Sequence, residues 1–400
     1  MKLHANLLAA VNTGLTDILL NGKQADTVVE ELLVSNKKWG KRDRNFIAEN
    51  IYNVIRYKRL YEYCVETDEY DENYITKLVL AKLILEKADP SVDLLTAAQI
   101  DEDKVKLRAV DAAGIRKIAE SIPDWLDELG EREVGSQWGA ELHALNQQAA
   151  LSLRVNTIRN SAAQLKTLLT SENIEYTEVP YAPNAIVLAK RKSLKNLPAY
   201  KDGMFEIQDV SSQLVAPMLQ LKQGLTVVDA CAGAGGKTLH MAQVMNNSGT
   251  LIAMDVSEHK LTELQVRAKR AGVSILNTYL AGENTVISLH EKADRLLLDV
   301  PCSGTGVLRR KPDAKWKLSP EFMEEVKAQQ RELLDNYSTI VKPGGLMIYS
   351  TCSIFPSENE GQIAAFIERQ QGRFKLVEEK KVSPAESGFD GFYIALLKRV

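Results

Sequence analysis

From Thr226 onward, short runs rich in strand formers alternate with helical stretches, and this alternation most narrowly limits the folds open to the chain. The runs at 226–231, 250–256, 274–281, 294–300, 344–351, 374–379 and 391–398 are too short for helices. Strand–helix alternation calls for a parallel sheet covered by helices on both faces. The last two runs are joined only by the turn-rich EKKVSPAESGFDG, with no helix expected between them, so they should pair antiparallel as a terminal hairpin. The expected class is therefore α/β, with a seven-stranded, mostly parallel sheet over 203–400.

A chain of 400 residues is too long for one ordinary core and leaves room for other domains. Residues 1–145 read as helices almost throughout, with apolar positions recurring at three and four, as in Ile47, Ile51, Val54 and Ile55. Between them, 146–202 reads as a small α+β connector. There ALSLRVNTI alternates with period two, Ser161 opens the helix SAAQLKTLLTSEN, and IEYTEV and AIVLAK are further strands.

Composition removes several function classes. Net charge is −3, so the chain has no global basic field of the kind that holds nucleic acid nonspecifically, and any polyanion must meet local patches. Cys64, Cys231, Cys302 and Cys352 are far apart in sequence and form no CxxC or Cys/His cluster, which argues against zinc and against a disulfide scaffold. A reducing cytoplasm fits best, and a monomer is expected. The apolar start, MKLHANLLAAVNTGLTDILL, is interrupted by Asn6, Asn12, Thr13 and Asp17 at amphipathic spacing, and no run is long enough to cross a bilayer.

The segment TVVDACAGAGGKT is a strand running into a glycine turn and a helix, an arrangement that brings backbone N–H groups to a polar ligand. Read as a dinucleotide fingerprint, it has Thr238 where the third glycine belongs; read as a P-loop, it ends well in Gly236-Lys237-Thr238 but has Cys231 in place of the leading glycine. The P-loop reading would make Asp299 a magnesium ligand. The second strand favours the nucleoside reading, because Asp255 stands at its carboxyl end, about 20 residues past the loop, where a carboxylate accepts both ribose hydroxyls. Glu283, after the third strand, falls on the adenine side, and Asp299 ends the fourth near the loop.

Cys302 in RLLLDVPCSGTG and Cys352 in GGLMIYSTCS each follow a strand run and should emerge at the carboxyl edge of the sheet, where open α/β sheets bind ligands. Two buried core cysteines are the plain alternative. Two thiols beside an adenosyl cofactor suggest methyl transfer from S-adenosylmethionine to a carbon that is not itself nucleophilic, such as carbon 5 of a pyrimidine. A thiolate adding at carbon 6 activates carbon 5, and one thiol would attack while the other assists elimination. Asp299 is placed to hydrogen-bond the base edge. A nucleophilic thiol needs local positive potential, for which Lys237, Arg309, Arg310 and Lys311 are candidates.

The series LRVNT, FEIQDVSSQLVAPML, DACAGAGGKT, DVPCSGTGVLRRKPDAKW, QRELLD, KPGG, STCSIFPSENE and DGFYIALLKR closely resembles the RNA 5-methylcytosine methyltransferases of the RsmB/NSUN (Sun/Fmu) type over 145–400. The resemblance implies a Rossmann-like, S-adenosylmethionine-dependent methyltransferase acting on RNA, expected to be ribosomal, through a covalent cysteine–cytosine adduct. It makes Cys352 the nucleophile and Cys302 the residue that aids product release, assignments that the chemistry of the residues alone leaves open. The cofactor positions carried over are Cys231, Ala232, Gly233, Ala234, Gly235, Gly236 and Lys237, with Asp255, Glu283 and Asp299. Two departures stand out: Gly233-Ala234 replace the usual alanine and proline of the loop, and Gly282-Glu283-Asn284 replaces the usual GDA. Residues 1–140 resemble the NusB-like helical domain of bacterial members only faintly, through WGKRDRNFIAENIYNVIRYKRL.

RNA is expected to meet basic clusters that carry aromatics: KKWGKRDRNF (37–46), KRKSLKNLPAYK (190–201) and, above all, RRKPDAKWK with Arg309, Arg310, Lys311, Lys315 and Trp316. A solvated charged face is the competing reading of each. A P-loop NTPase and a noncatalytic RNA-binding assembly factor are the two rival functions.

Overall fold

Neighbouring residues along the sheet are buried together. Val227 and Val228, Leu297 and Leu298, and Met347 and Ile348 all have 0% exposure. Because successive strand residues point to opposite faces, paired burial means that both faces are covered. Two apolar clusters result, one gathering Val228, Leu296, Leu298, Met347 and Tyr349, the other Val227, Leu251, Leu297, Leu346 and Ile348. The computed structural model that shows this describes residues 5–88, 90–191 and 193–400.

The described chain divides into two compact units, one running to Gln147 and including Leu308–Leu318, the other comprising Gln148–Val307 and Ser319–Val400. The first is helical. The helices Ala5–Leu15, Lys41–Arg56 and Tyr74–Leu85 bury Val11, Leu15, Ile47, Ile51, Val54 and Leu78 in one core. Among the described residues, no helix is long and apolar enough to cross a membrane.

The second unit begins with strands β1 (Leu151–Val155), β2 (Tyr176–Glu178), β3 (Ala185–Leu188) and β4 (Phe205–Ile207), which form an antiparallel sheet in the order β2-β3-β1-β4. Ser161 caps the expected helix, Ala162–Ser171, by accepting from Gln164 N, and Gln164 completes the capping box. The fourth strand extends the connector past the boundary expected at 202.

The large sheet follows: β5 (Thr226–Asp229), β6 (Thr250–Asp255), β7 (Leu276–Leu280), β8 (Ala293–Asp299), β9 (Val341–Thr351), β10 (Phe374–Val382) and β11 (Phe392–Arg399). Its order is β10-β11-β9-β8-β5-β6-β7, parallel from β9 to β7 and closed at the other edge by the antiparallel hairpin β10–β11. A short helix, Pro384–Ser387, sits in the hairpin link that was expected to have none; Ser383 caps it and Pro384 starts it, so a local turn signal suffices there. Chain order reverses between β5 and β8, and such a switch point opens a crevice beyond the carboxyl ends of both strands.

The segment 308–318 departs from the expected domain division. Its position in sequence lies within the span 203–400 expected for the catalytic domain, yet it packs within the helical unit. Lys315 Nζ donates to Arg56 O, Glu120 O and Asn146 Oδ1, Trp316 Nε1 donates to Ile55 O, and Arg309 Nη2 donates to Ala144 O. Backbone carbonyls at helix ends need such donors, and this basic run supplies them.

Candidate active site

At the switch point, β5 ends in Asp229 and the chain turns through 230–235 into the helix Gly236–Val244. Gly235 takes φ +85°, and a Cβ there would overlap Leu264, so this position requires glycine on both counts. Gly233, at φ +54°, has nothing within 4 Å of where a Cβ would lie, which leaves space beside the loop.

Asp255, at the end of β6, holds this loop. Its Oδ2 accepts from Gly233 N at 2.8 Å and its Oδ1 from Ser257 N at 2.9 Å. A carboxylate has about four acceptor sites, so two backbone donors leave capacity for a pair of hydroxyls. Glu283 starts the helix Glu283–Ser288 just beyond β7 and is exposed. These residues, with the open loop, fit an adenosyl cofactor.

Asp229 and Asp299 each bind the first turn of the helix that follows the loop, through Thr238 and Lys237. Burial pushes the Asp229 carboxyl up to about 7, against the hydrogen bond from Thr238 Oγ1 at 2.6 Å, and the charge of Asp299 pushes the same way. Asp299 Oδ2 pairs with Lys237 Nζ at 2.6 Å, and its Oδ1 accepts from Ser350 Oγ at 2.9 Å. The lysine that a P-loop would turn toward phosphate thus engages the carboxylate that reading assigns to magnesium.

The two thiols meet. Asp299 and Ser350 are partners in the parallel register of β8 and β9, so the residues that follow leave neighbouring strands at the same height. Cys302 Sγ lies 3.2 Å from Cys352 Sγ, and both cysteines are reduced and partly buried. The hydrogen bond with Cys352, then burial, push the Cys302 thiol well above its ordinary range, with further help from the charge of Glu358. Such a pair resists double ionisation, which suits one thiolate beside one retained proton. Cys231, by contrast, stands within the loop, and burial pushes its thiol well up.

The two residues that follow the cysteines share a carboxylate, Glu358 of the STCSIFPSENE motif. Glu358 is fully buried. It accepts from Ser303 N at 2.8 Å, from Gln330 Nε2 at 3.0 Å, and from the hydroxyls of Ser303 and Ser353. A buried carboxylate requires such partners, but no local pattern names them, because Ser303 and Gln330 are remote in sequence.

The expected basic patches fare differently. Arg309 and Lys315 are 3% and 1% exposed and spend their donors inside the helical unit; Trp316 is partly buried there, Arg310 is half-buried and Lys311 is exposed. Arginine 309, Lys315 and Trp316 therefore do not form a solvent-facing RNA platform. In KKWGKRDRNF, Arg44 donates to the carbonyls of Trp39, Leu33 and Asn36. In KRKSLKNLPAYK, Lys192 lies outside the described residues, and Tyr200 packs against Phe205 under the Arg270 guanidinium.

The profile of the family described as 16S rRNA methyltransferase RsmB/F matches residues 216–398, and that of the RsmF/B-like ferredoxin-like domain matches residues 122–195. A probable ribosomal RNA small subunit methyltransferase B of Synechocystis is 34% identical over 299 residues, covering 70% of this chain and 67% of the relative. The ribosomal RNA small subunit methyltransferase B of Yersinia enterocolitica is 29% identical and covers 100% of both chains. Among solved structures, a methyltransferase homolog protein from Pyrococcus horikoshii aligns with TM-score 0.64 at 25% identity, over 71% of this chain and 98% of that one. The protein PH0851 has the same fold, at TM-score 0.82 and 23% identity over 100% of both chains.

Proposed function

The chain belongs to the RsmB/F family of 16S rRNA methyltransferases, with S-adenosylmethionine as methyl donor, and from that premise we propose that it methylates carbon 5 of a cytosine in small-subunit ribosomal RNA through a covalent adduct with Cys352. The observation that carries this reading is the 3.2 Å contact between Cys302 Sγ and Cys352 Sγ, on the segments that follow the paired residues Asp299 and Ser350. Two thiols in one crevice answer the need of a ring carbon that must be activated before alkylation and released after it.

S-adenosylmethionine supplies an electrophilic methyl group, and Asp255, Glu283 and the loop 231–237 are the residues to hold it. The thiolate of Cys352 adds to carbon 6 of the base, and the electron pair of the 5,6 double bond moves to make carbon 5 nucleophilic. Asp299 hydrogen-bonds the base edge and offsets the charge that develops there, while Lys237 orients Asp299. After methylation a solvent base takes the carbon 5 proton, the electron pair of that C–H bond re-forms the 5,6 double bond, and the bond from carbon 6 to sulfur breaks to release Cys352 as a thiolate. Cys302 assists that elimination. Because a stacked cytosine hides carbon 6, the target base must be unpaired or flipped out.

The test is direct. Purified protein, S-adenosylmethionine carrying a labelled methyl group, and unmodified 16S rRNA are incubated, and the RNA is digested to nucleosides for mass spectrometry. Label in 5-methylcytidine is the expected result. Label in another nucleoside would overturn the carbon 5 assignment, and no label with either naked RNA or small subunits would support the assembly-factor reading instead.

A further inference from the structure

Cys302 and Cys352 stand on separate loops, each anchored to its own strand, so nothing in the sheet alone fixes how closely their sulfurs approach. The residue after each cysteine is a serine. The hydroxyls of Ser303 and Ser353 both donate to Glu358 Oε1, while Glu358 Oε2 takes Ser303 N at 2.8 Å and Gln330 Nε2 at 3.0 Å. One carboxylate therefore ties the loop after β8 to the loop after β9. Its own backbone is tied as well, since Tyr349 Oη donates to Glu358 O at 2.6 Å from within β9. Further bonds run across the same junction: Thr305 Oγ1 lies 3.1 Å from Ser353 Oγ, and Gly306 N donates to Cys352 O at 2.8 Å.

We propose that Glu358 is a positioning residue for the methyl-transfer reaction: it clamps the two cysteine loops together and so sets the distance between the attacking and the releasing thiol. The proposal rests on the reading of both cysteines as reactive. Glu358 is fully buried, and it acts through Ser303 and Ser353. Its negative charge also opposes loss of the Cys302 proton.

The clamp makes a chemical prediction about Glu358→Gln and Glu358→Ala. A glutamine can keep all four contacts if its NH2 group turns toward the two hydroxyls, which then accept, while its carbonyl takes Ser303 N and Gln330 Nε2. Alanine keeps none. Positioning therefore survives in Glu358→Gln and fails in Glu358→Ala. Misplacement of reacting groups by an ångström costs about 10²-fold in rate. Glu358→Ala should accordingly lower the single-turnover methylation rate by about that factor with little change in KM for RNA, and Glu358→Gln should restore most of it.

A second measurement needs no RNA. Diamide oxidises two adjacent thiols to a disulfide and is itself reduced to the hydrazine, so its rate of forming the Cys302–Cys352 bond, followed by peptide mass mapping, reports thiol approach in the protein alone. That rate should fall about tenfold or more in Glu358→Ala, and remain near wild type in Glu358→Gln. Should Glu358→Ala not fold, Ser353→Ala, which removes one hydroxyl of the clamp, must show an intermediate loss in both measurements. Wild-type thiol closure in Glu358→Ala or, in its absence, in Ser353→Ala would overturn the proposal, as would equal impairment in Gln and Ala variants, which would assign the effect to charge. Absence of methylation by the wild type would instead count against the proposed function, leaving the diamide result as the test of the clamp.

Discussion

Lys237 Nζ lies 2.6 Å from Asp299 Oδ2, which joins the helix after the glycine loop to the strand that leads to Cys302. Neither side chain is fully exposed, at 13% and 27%, and the ammonium also lies 4.8 Å from the centre of the Phe392 ring. The pair couples the cofactor side of the crevice to the base side. If Lys237 acts by orienting Asp299, the two substitutions should not add. Lys237→Ala and Asp299→Asn should each reduce the single-turnover rate, by roughly 10²- to 10³-fold for a lost preorganised charge, and the double variant should be no slower than the worse single. Additive losses would mean that the two residues act independently.

A pH term follows from Asp229. Its carboxyl is raised to about 7 in the fold, chiefly by burial, from an unfolded value of 3.8. Between those values the folded chain holds a proton that the unfolded chain has lost, so stability from this group is full below pH 3.8 and falls as pH rises toward 7. The shift corresponds to about 4 kcal/mol at most. Asp229→Asn keeps an acceptor for Thr238 and removes the titration. Urea unfolding of the cofactor-free protein at pH 5 and pH 8 should show a smaller difference in the variant than in the wild type; equal differences would rule out the raised carboxyl.

Much of the sheet could be read in advance because burial on both faces imposes short continuous apolar runs such as VVD and LLLD, rich in strand formers and alternating with helical stretches. Asp255 was legible for a related reason, as the acid that ends a buried strand about 20 residues past the glycine loop. The strand Phe205–Ile207 escaped notice because three residues cannot display a period. Glu358 escaped because its partners come from three separate segments, at Ser303, Gln330 and Ser353. The basic run at 309–317 misled for a physical reason. Lysine and arginine carry long apolar stems and several donors, so they can serve buried carbonyls as well as phosphates, and sequence does not distinguish the two uses.

That distinction gives the third prediction. Trp316 packs against the helical core and donates to Ile55 O at 2.7 Å, and Lys315 is buried among three acceptors. Trp316→Ala should destabilise the helical unit by about 2 kcal/mol, below the usual cost of removing a fully buried aromatic because Trp316 is only partly buried. Lys315→Met should not alter the slope of RNA affinity against salt, because its ammonium spends its donors on protein acceptors, and Trp316→Ala should not either, because an indole carries no charge and the Lys315 beside it is already engaged. Melting curves and salt titrations separate these outcomes, and a reduced salt slope in folded variants would return the segment to RNA binding.

The last prediction concerns the order of bond making at the thiols. Cys352→Ala should abolish both methylation and covalent capture of RNA, because without addition at carbon 6 there is no activated carbon 5. Cys302→Ala should behave differently. With Cys352 intact, addition and methylation proceed, while elimination loses the partner that stood 3.2 Å from the attacking sulfur. A methylated RNA–protein adduct should then accumulate and survive denaturing electrophoresis. The Glu358 clamp adds a further expectation. In Cys302→Ala the loop after β9 remains tied through Ser353, so adduct formation should stay as fast as in the wild type even though release fails. An adduct trapped by Cys352→Ala in place of Cys302→Ala would reverse the two roles, and full turnover in both variants would remove the covalent route.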